Sequence, residues 1–303
     1  MDAAAPAVAS SLIMIEKICA IIVTYNSGPE VRDCVASVAG QVQKIVITDN
    51  GSAGNTISIL KKIEDDYSPR VIIIQNSDNL GIAAALNRGV KFALEEGYDW
   101  VLTLDDDSVA EPGMIQKMLR AYFQMPSGER DSIAVMAPNY TILKGLAYGV
   151  KSPRIIPVAI TSGQLVKTSV FKKAGFYKEE LFIECVDHEF CLRLLKRGFK
   201  TFLIPDAILK QRIGPSPELR RILWKKFVVA HHLPHRYYYI FRNNVFLYKT
   251  YWNVAPKWMF KNILSNVAVF LKMLFFEERK LGKIKMIMAG CVDGIIGRHG
   301  KRE

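Results

Sequence analysis

The sequence predicts an α/β fold with a doubly wound, mostly parallel sheet, followed by a helical and basic carboxy-terminal region. Short apolar runs rich in β-branched residues recur along residues 18–204, and segments with helical spacing separate them. Strands that are apolar on both faces and alternate with helices are typical of parallel sheets. The charge distribution marks the extension: residues 1–206 hold 22 Lys and Arg against 24 Asp and Glu, whereas residues 207–303 hold 19 against 5.

The first part of the chain alternates strands with helices. The elements predicted there are a strand at 18–23, a helix at 30–42, a strand at 44–50, a helix at 55–66, a strand at 70–76, a helix that follows Gly81 and ends near residue 96, and a strand at 100–104. Ligands of doubly wound folds bind outside the carboxyl ends of the strands. The polar residues that follow these strands are therefore expected to line one crevice.

The pattern weakens in the middle of the chain. A strand is predicted at 133–140, and a Gly- and Pro-rich loop after it is expected to cover the crevice. A helix is predicted at 186–198, because acids stand in its first turn, basic residues in its last turn and Gly198 at its end. A further strand is predicted at 200–204, and the chain beyond Pro217 is predicted to be helical.

These patterns divide the chain into three parts. Residues 1–15 are expected to be disordered or artificially added, residues 16–215 to form the α/β domain, and residues 216–303 to form a helical region rich in basic and aromatic side chains. The five cysteines are scattered and include no CxxC pair, so neither a disulfide framework nor a zinc cage is expected. Such cysteine usage fits the cytoplasm.

The surplus of positive charge favours an anionic surface as partner of the carboxy-terminal region. The α/β domain is nearly neutral, so no nucleic-acid groove is expected in it. The longest apolar run, 263–276, is interrupted by Asn266 and Lys272, and it is shorter than the ~20 residues that span a bilayer. The sequence therefore predicts peripheral contact with the inner membrane face rather than a spanning helix. Packing of these helices against the domain, or a homo-oligomer, is the alternative.

Three consecutive acids, Asp105, Asp106 and Asp107, follow the strand predicted at 100–104. In an extended segment residues i and i+2 point to one side, so Asp105 and Asp107 can face one ligand together. A divalent cation relieves the repulsion among carboxylates most directly, and oxygen ligands suit Mg²⁺ or Mn²⁺. A solvated acidic turn is the alternative that this segment alone leaves open.

Five segments together carry a resemblance to a known family. They are, in chain order, IIVTYNS, VITDNGS, NLGIAAALNRG, LTLDDDS and VDHEFCLR. In this order they resemble a family 2 glycosyltransferase of the GT-A fold over about residues 18–215. The segment HRYYYIFRNN at 235–244 is similar to one found in bacterial rhamnosyltransferases.

The resemblance implies an inverting, metal-dependent enzyme that moves a sugar from a dTDP- or UDP-sugar donor to a hydroxyl group. It places dTDP-L-rhamnose first among the donors, a UDP-hexose second, and a lipid-linked or polysaccharide glycan as acceptor. A sugar-nucleotide nucleotidyltransferase is the rival class. Such an enzyme should carry a Gly-rich phosphate loop after its first strand, which TYNSGPE at 24–30 is not.

The resemblance also implies donor-binding roles. Thr24 and Tyr25 would contact the nucleotide, and Asp49 would accept from the N3–H of a pyrimidine base. Asp105 and Asp107 would hold ribose and metal. The remaining donor-binding candidates near the crevice are Asn26, Asn79, Asn87 and Asp106. For Asp49 the alternative is capping of the DNGS turn, and for Asn79 and Asn87 it is helix capping or packing.

An inverting transfer needs one base that takes the proton of the acceptor hydroxyl. The resemblance implies Asp187, which lies six residues before Arg193 in the helix predicted at 186–198. Glu184 and Glu189 are rivals for this role, and Glu189 is also a candidate contact for an acceptor hydroxyl. A helix cap is the structural alternative for Asp187.

Gln211 departs from the family pattern. Many relatives carry a histidine three residues before a glycine at the end of this strand, where this chain has Gln211 before Gly214. An amide oxygen ligates Mg²⁺ or Mn²⁺, but more weakly than imidazole ligates Mn²⁺. The metal set implied for this chain is therefore Asp105, Asp107 and Gln211, with the choice between Mg²⁺ and Mn²⁺ open.

Overall fold

The computed structural model describes residues 16–142, 146–147, 151–211, 218–222, 225–229 and 231–302. The prediction made for residues 1–15 lies outside the described residues, as does part of the loop expected to cover the crevice.

The first part of the chain forms the parallel side of the sheet. Its strands are β1 (Ile18–Thr24), β2 (Lys44–Asp49), β3 (Val71–Gln75) and β4 (Trp100–Asp105), and the helices between them are α1 (Val31–Ala39), α2 (Asn55–Asp66) and α3 (Ile82–Glu95). The four strands lie in the order β3-β2-β1-β4 and all pairs are parallel. The register pairs Thr24 with Asp49 and Val23 with Asp105, so the carboxyl ends of β1, β2 and β4 meet at one edge.

The second part completes a ten-stranded sheet among the described residues. Its elements are β5 (Val109–Ala110), α4 (Met114–Phe123), α5 (Ser127–Arg130), β6 (Ile133–Ile142), β7 (Leu146–Ala147), β8 (Arg154–Ile156), β9 (Leu165–Lys167), α6 (Thr168–Ala174), a 3₁₀ helix (Glu179–Leu181), α7 (Val186–Lys196) and β10 (Lys200–Gln211). The strand order continues β4-β9-β6-β10-β5, and β9 is antiparallel to both of its neighbours. The predicted mostly parallel GT-A-like sheet is confirmed.

Both faces of the sheet are buried. Ile22 and Ile47 pack with α1, α2 and α4 on one face, whereas Ile21 and Val46 pack with α3, α6 and α7 on the other. Successive side chains of a strand point to opposite faces, so a continuous apolar run serves two layers of helices at once.

The carboxy-terminal region differs from its prediction at its start. The chain beyond Pro217 was expected to be helical, but a hairpin of β11 (Glu218–Ile222) and β12 (Lys225–Val229) comes first. The sequence Phe-Val-Val at 227–229 favours a strand because β-branched and aromatic residues fit a pleated surface.

Three helices follow the hairpin: α8 (Pro234–Tyr251), α9 (Pro256–Phe276) and α10 (Lys280–Ile296). Helix α10 packs on α8 at two glycines. A Cβ atom at Gly290 would overlap the Tyr238 carbonyl oxygen, and one at Gly294 would lie 2.7 Å from the Arg242 carbonyl oxygen. Only glycine permits this approach of the two backbones.

Helix α9 is longer than the apolar run 263–276, because it begins at Pro256. By length and composition alone, its 21 residues are long and apolar enough to cross a membrane, and most of the helix is not buried in the protein. Lys272 and Asn266 lie inside the helix without ending it.

Candidate active site

The crevice lies where β1, β2 and β4 end. Thr24, Asp49 and Asp105 are the last residues of these three strands, and the register pairs Thr24 with Asp49 and the preceding Val23 with Asp105. The polar residues predicted to meet at the carboxyl ends therefore do so in the structure.

Asp49 is fully buried among hydrogen-bond donors. Its Oδ1 accepts from the Thr24 hydroxyl at 3.0 Å and from the Ser52 hydroxyl, and its Oδ2 accepts from the Ser52 N–H at 3.0 Å. A carboxylate offers about four acceptor positions, and these donors take three. Because Asp49 has no exposed surface, its contacts support the turn-capping role that the sequence left open.

Tyr25 and Asn26 form the loop after β1. The Tyr25 side chain is half exposed, at 50%, so its ring is accessible for stacking on a base. The Asn26 side-chain oxygen accepts from the Ala53 N–H at 3.0 Å, and its own N–H donates to the Ser52 hydroxyl at 2.8 Å. Asn26 therefore joins the loops after β1 and β2 and fixes the position of Tyr25.

An amide network extends the crevice wall towards α3. Asn50 donates to the Asn79 side-chain oxygen at 3.0 Å and accepts from the Asn76 side chain at 2.9 Å. The Asn79 oxygen also accepts from the Gly81 N–H at 3.0 Å, so it caps the turn that starts α3. Asn50, in the Thr-Asp-Asn segment expected to line the crevice, is a buried wall residue, and so is Asn76, which directly follows β3 but was not singled out from the sequence.

Asn87 lies deeper in the fold. Its amide nitrogen donates to the Tyr177 carbonyl at 2.9 Å and to Glu179 at 2.8 Å, while its oxygen accepts from the Tyr177 N–H at 2.9 Å. Only 2% of the residue is exposed. These contacts favour the packing role over donor contact, because they hold the segment before α7 against α3.

The three acids after β4 crowd one another. Desolvation, together with the Asp107, Asp106 and Asp187 carboxylates, raises the pKa of Asp105 to about 7, although a hydrogen bond from Gln211 opposes this rise. Desolvation also raises the pKa of Asp106 to about 6, although a hydrogen bond from the Ser27 hydroxyl opposes this rise. The site thus concentrates negative charge that a cation would relieve.

Gln211 is at hydrogen-bond distance from the acids. Its side-chain nitrogen lies 3.3 Å from Asp105 Oδ2, and rotating the amide by half a turn would present its oxygen to the same place. Carboxylates and an amide oxygen are hard ligands that suit Mg²⁺ or Mn²⁺. Within the described ranges no three or more His, Cys, Asp or Glu side chains form a metal-holding group.

Asp187 lies in the first turn of α7. Its carboxylate is close enough to Asp105 to contribute to the raised pKa of that group. One carboxylate oxygen accepts from the His188 N–H at 2.7 Å. The side chain keeps 17% exposure, so it is open to an incoming hydroxyl.

The expectation that Glu189 contacts an acceptor hydroxyl does not match the structure. Its side chain has no exposed surface, because Arg193 binds it at 3.0 Å and the Tyr251 hydroxyl donates to it. An acidic residue next to the predicted base was expected to face the crevice, but at this position the helix turns it towards the core. Glu189 therefore ties α7 to α8 rather than to a ligand.

Glu184, the other rival for the base, is also engaged. Arg236 of α8 donates to it through two nitrogens, one at 2.7 Å.

Two further residues near the crevice were not foreseen. The Ser162 hydroxyl accepts from the Asp105 N–H at 3.1 Å, and Lys301 Nζ lies 3.4 Å from the Asn79 carbonyl oxygen. Residues this far apart in sequence carry no joint signal in the sequence.

Comparisons with known proteins agree with this geometry. The family model described as Glycosyl transferase family 2 matches residues 19–173, about half of the chain. The dTDP-rhamnosyl transferase RfbF of Shigella flexneri is 28% identical over 95% of this chain and 98% of its own length. A poly-beta-1,6-N-acetyl-D-glucosamine synthase of Staphylococcus aureus (strain COL) is 25% identical over 71% of this chain and 53% of its own length.

Solved structures resemble the fold. The crystal structure of GalNAc-T7 with UDP, GalNAc and Mn²⁺ superposes with a TM-score of 0.60 at 14% identity, over 81% of this chain and 50% of that one. The crystal structure of S. aureus TarS 1-349 gives a TM-score of 0.52 at 16% identity, over 93% and 72%. At these identities the likeness shows the shared fold alone.

Proposed function

We propose, from the premise that the chain belongs to glycosyltransferase family 2, that it is an inverting rhamnosyltransferase. It would move L-rhamnose from dTDP-L-rhamnose to a hydroxyl of a lipid-linked or polysaccharide acceptor. One observation carries the proposal: Asp105, at the end of β4, lies 3.3 Å from the Gln211 side chain, and the Asp107, Asp106 and Asp187 carboxylates are near enough to raise its pKa. The likeness to a dTDP-rhamnosyl transferase along the full length supports the choice of donor.

The donor would occupy the strand ends. Tyr25 would stack on the base beside Thr24 and Asn26, while Asp49 and Asn79 support the wall behind it. Asp105, Asp107 and Gln211 would hold Mg²⁺ or Mn²⁺, with Asp106 fixed by Ser27. A bound divalent cation would offset the charge of the departing diphosphate.

The transfer step would use Asp187 as general base. The acceptor oxygen attacks the anomeric carbon of the sugar while the bond from that carbon to the diphosphate oxygen breaks. The acceptor proton passes to Asp187, and the configuration at the anomeric carbon inverts. Among the three acids weighed for this role, Glu184 and Glu189 are held by arginines, whereas the neighbour of the Asp187 carboxylate is His188, with Nε2 at 3.8 Å. This difference favours Asp187 as the base.

The carboxy-terminal region would hold a cytoplasmic enzyme on the inner membrane face, where a lipid-linked acceptor is found. Helix α9 exposes apolar side chains at helical spacing, namely Phe260, Leu264, Val267, Leu271 and Phe275. The helix carries Lys257, Lys261 and Lys272 and no acidic residue. Apolar groups beside lysines suit an anionic lipid surface, whereas pairing of two copies through this face would bring like charges together.

A panel of ligands in a thermal-shift assay tests the proposed donor. We expect dTDP and dTDP-L-rhamnose to raise the melting temperature more than UDP or UDP-hexoses, and only when Mn²⁺ or Mg²⁺ is present, because a ligand that binds the native state stabilises it. A larger shift with a UDP-hexose would support the alternative donor. The absence of any shift with nucleoside diphosphates would overturn glycosyl transfer from such donors.

A further inference from the structure

The loop between the 3₁₀ helix and α7 has an unusual backbone. Phe182, Glu184 and Cys185 have φ angles of 64°, 65° and 60°, in the left-handed region that residues with a side chain seldom adopt. Such conformations persist only where the surrounding structure determines them. Cys185 directly precedes α7, so this backbone decides where the helix begins and where Asp187 points.

Asn243 of α8 holds this loop from inside the protein. Its amide nitrogen lies within hydrogen-bond distance of the carbonyl oxygens of Leu181, Ile183 and Glu184, at 3.1, 2.7 and 2.8 Å. The residue has no exposed surface. One side chain thus contacts three carbonyl groups at or next to the loop, although Asn243 lies about sixty residues further along the chain.

Arg242 adds a second set of contacts. Its guanidinium donates to the carbonyl oxygens of Leu181 at 2.9 Å, Glu180 at 3.3 Å and Gly300 at 2.6 Å. A fourth bond, at 2.8 Å, orients the side chain of Asn243. The residue is 1% exposed, and four neutral oxygens satisfy a charge that is costly to bury. Lysine has no such planar fork and could not reproduce this arrangement.

We propose that Arg242 and Asn243 are positioning residues for the transfer reaction, because they fix the loop that aims Asp187 at the crevice. The inference rests on the proposed function of Asp187 as general base. It gives the Arg-Asn pair of HRYYYIFRNN, at 235–244, a role in setting the geometry of the base rather than in contacting the donor.

Replacing Asn243 by leucine tests the proposal, because leucine keeps the volume and removes every hydrogen bond from this amide to the loop carbonyls. We expect kcat to fall on the order of 100-fold, as for a small misplacement of a reacting group, with the Kd for dTDP within about 3-fold, because the strand ends are unchanged. In the Asn243→Leu variant, the backbone amide hydrogens of residues 181–189 should also exchange with solvent faster than in the wild-type protein. Arg242→Lys should lower kcat in the same direction.

Tyr237→Phe is the matched control. Tyr237 lies on the same helix and is equally buried, and its hydroxyl donates to Glu277 at 2.8 Å, away from the loop. This variant should lose some stability and keep kcat near wild type. If Asn243→Leu is folded and transfers rhamnose at the wild-type rate, or if Tyr237→Phe loses kcat equally, the positioning role is overturned. Failure of the wild-type protein to transfer rhamnose would instead overturn the proposed function.

Discussion

The two sides of the crevice are built in different ways. The side proposed to bind the donor consists of residues that end neighbouring parallel strands, because the register pairs Thr24 with Asp49 and Val23 with Asp105. The side proposed to hold the base consists of Asp187, on a loop-and-helix segment bonded to Arg242 and Asn243 of α8. On the proposed function, donor binding would depend on the α/β domain, whereas the position of the base would depend also on the carboxy-terminal helices.

Asp107→Ala should have the largest effect on the donor side. Without this carboxylate the donor diphosphate meets Asp105 and Asp106 with too few ligands to retain a cation, so metal-dependent affinity for dTDP should fall on the order of 100-fold or more. Calorimetric titration with and without Mn²⁺ measures it. Asp65→Ala, at an exposed acid of α2, is the control and should bind as wild type. Unchanged affinity of Asp107→Ala in the presence of metal would contradict the metal role.

Arg193→Ala should have the largest effect on stability on the base side. It leaves the buried carboxylate of Glu189 without its ion pair, which costs about 3–5 kcal/mol. The exposed pair of Arg32 and Asp66 is the control, because Arg32→Ala should cost about 1 kcal/mol or less. Urea unfolding measures both variants. Equal costs would show that Glu189 and Arg193 do not support α7 from the core.

The donor side could be predicted from the sequence because strand ends are visible as apolar runs that stop at polar residues. The three acids and the residues after β1 and β2 were found in this way. The contacts of Asp49 and Asn87 could not be predicted in this way. A short polar side chain at a strand end or in a helix has the same sequence pattern whether it contacts a ligand or a group of the protein itself.

Gly290→Ala tests the support that α10 gives to α8. The added methyl group would overlap the Tyr238 carbonyl oxygen, and we expect a loss of about 1–3 kcal/mol. Gly282→Ala in the same helix is the control, because nothing lies within 4 Å of its Cβ position; alanine there should stabilise by about 0.5–1 kcal/mol. Thermal unfolding compares them. Stabilisation by both substitutions would mean that the two helices are not in close contact.

The contacts around Asp187 could not be predicted from the sequence, for a physical reason. The direction of Glu189 and the contacts of Asn243 depend on how α7 and α8 pack, and pairs so far apart in sequence share no periodic signal. The motif at 235–244 was recognised by resemblance, but its bonds to the loop before α7 were not. The hairpin of β11 and β12 was missed because the chain beyond Pro217 was interpreted as helical throughout.

The smallest expected effect concerns the exposed face of α9. Replacing Lys257 and Lys261 by glutamine should weaken binding to vesicles containing anionic lipid by about 1 kcal/mol for each residue, and added salt should reduce the difference. The same change at Lys61 and Lys62, which are exposed on α2, is the control. Co-sedimentation measures both. A protein that ignores vesicles, or that buries this face in a dimer, would contradict membrane attachment.

We propose that residues at the strand ends bind the donor and that Asp187, on the other side of the crevice, removes the acceptor proton. The variant Asp187→Asn separates these two roles. Binding of dTDP-L-rhamnose by calorimetry and transfer of labelled rhamnose to a lipid-linked acceptor should be measured on one preparation of the variant. The amide keeps the shape but cannot take the acceptor proton, so we expect donor affinity near wild type and transfer reduced on the order of 100-fold or more. Transfer at the wild-type rate, or loss of donor binding in the folded variant, would contradict the account.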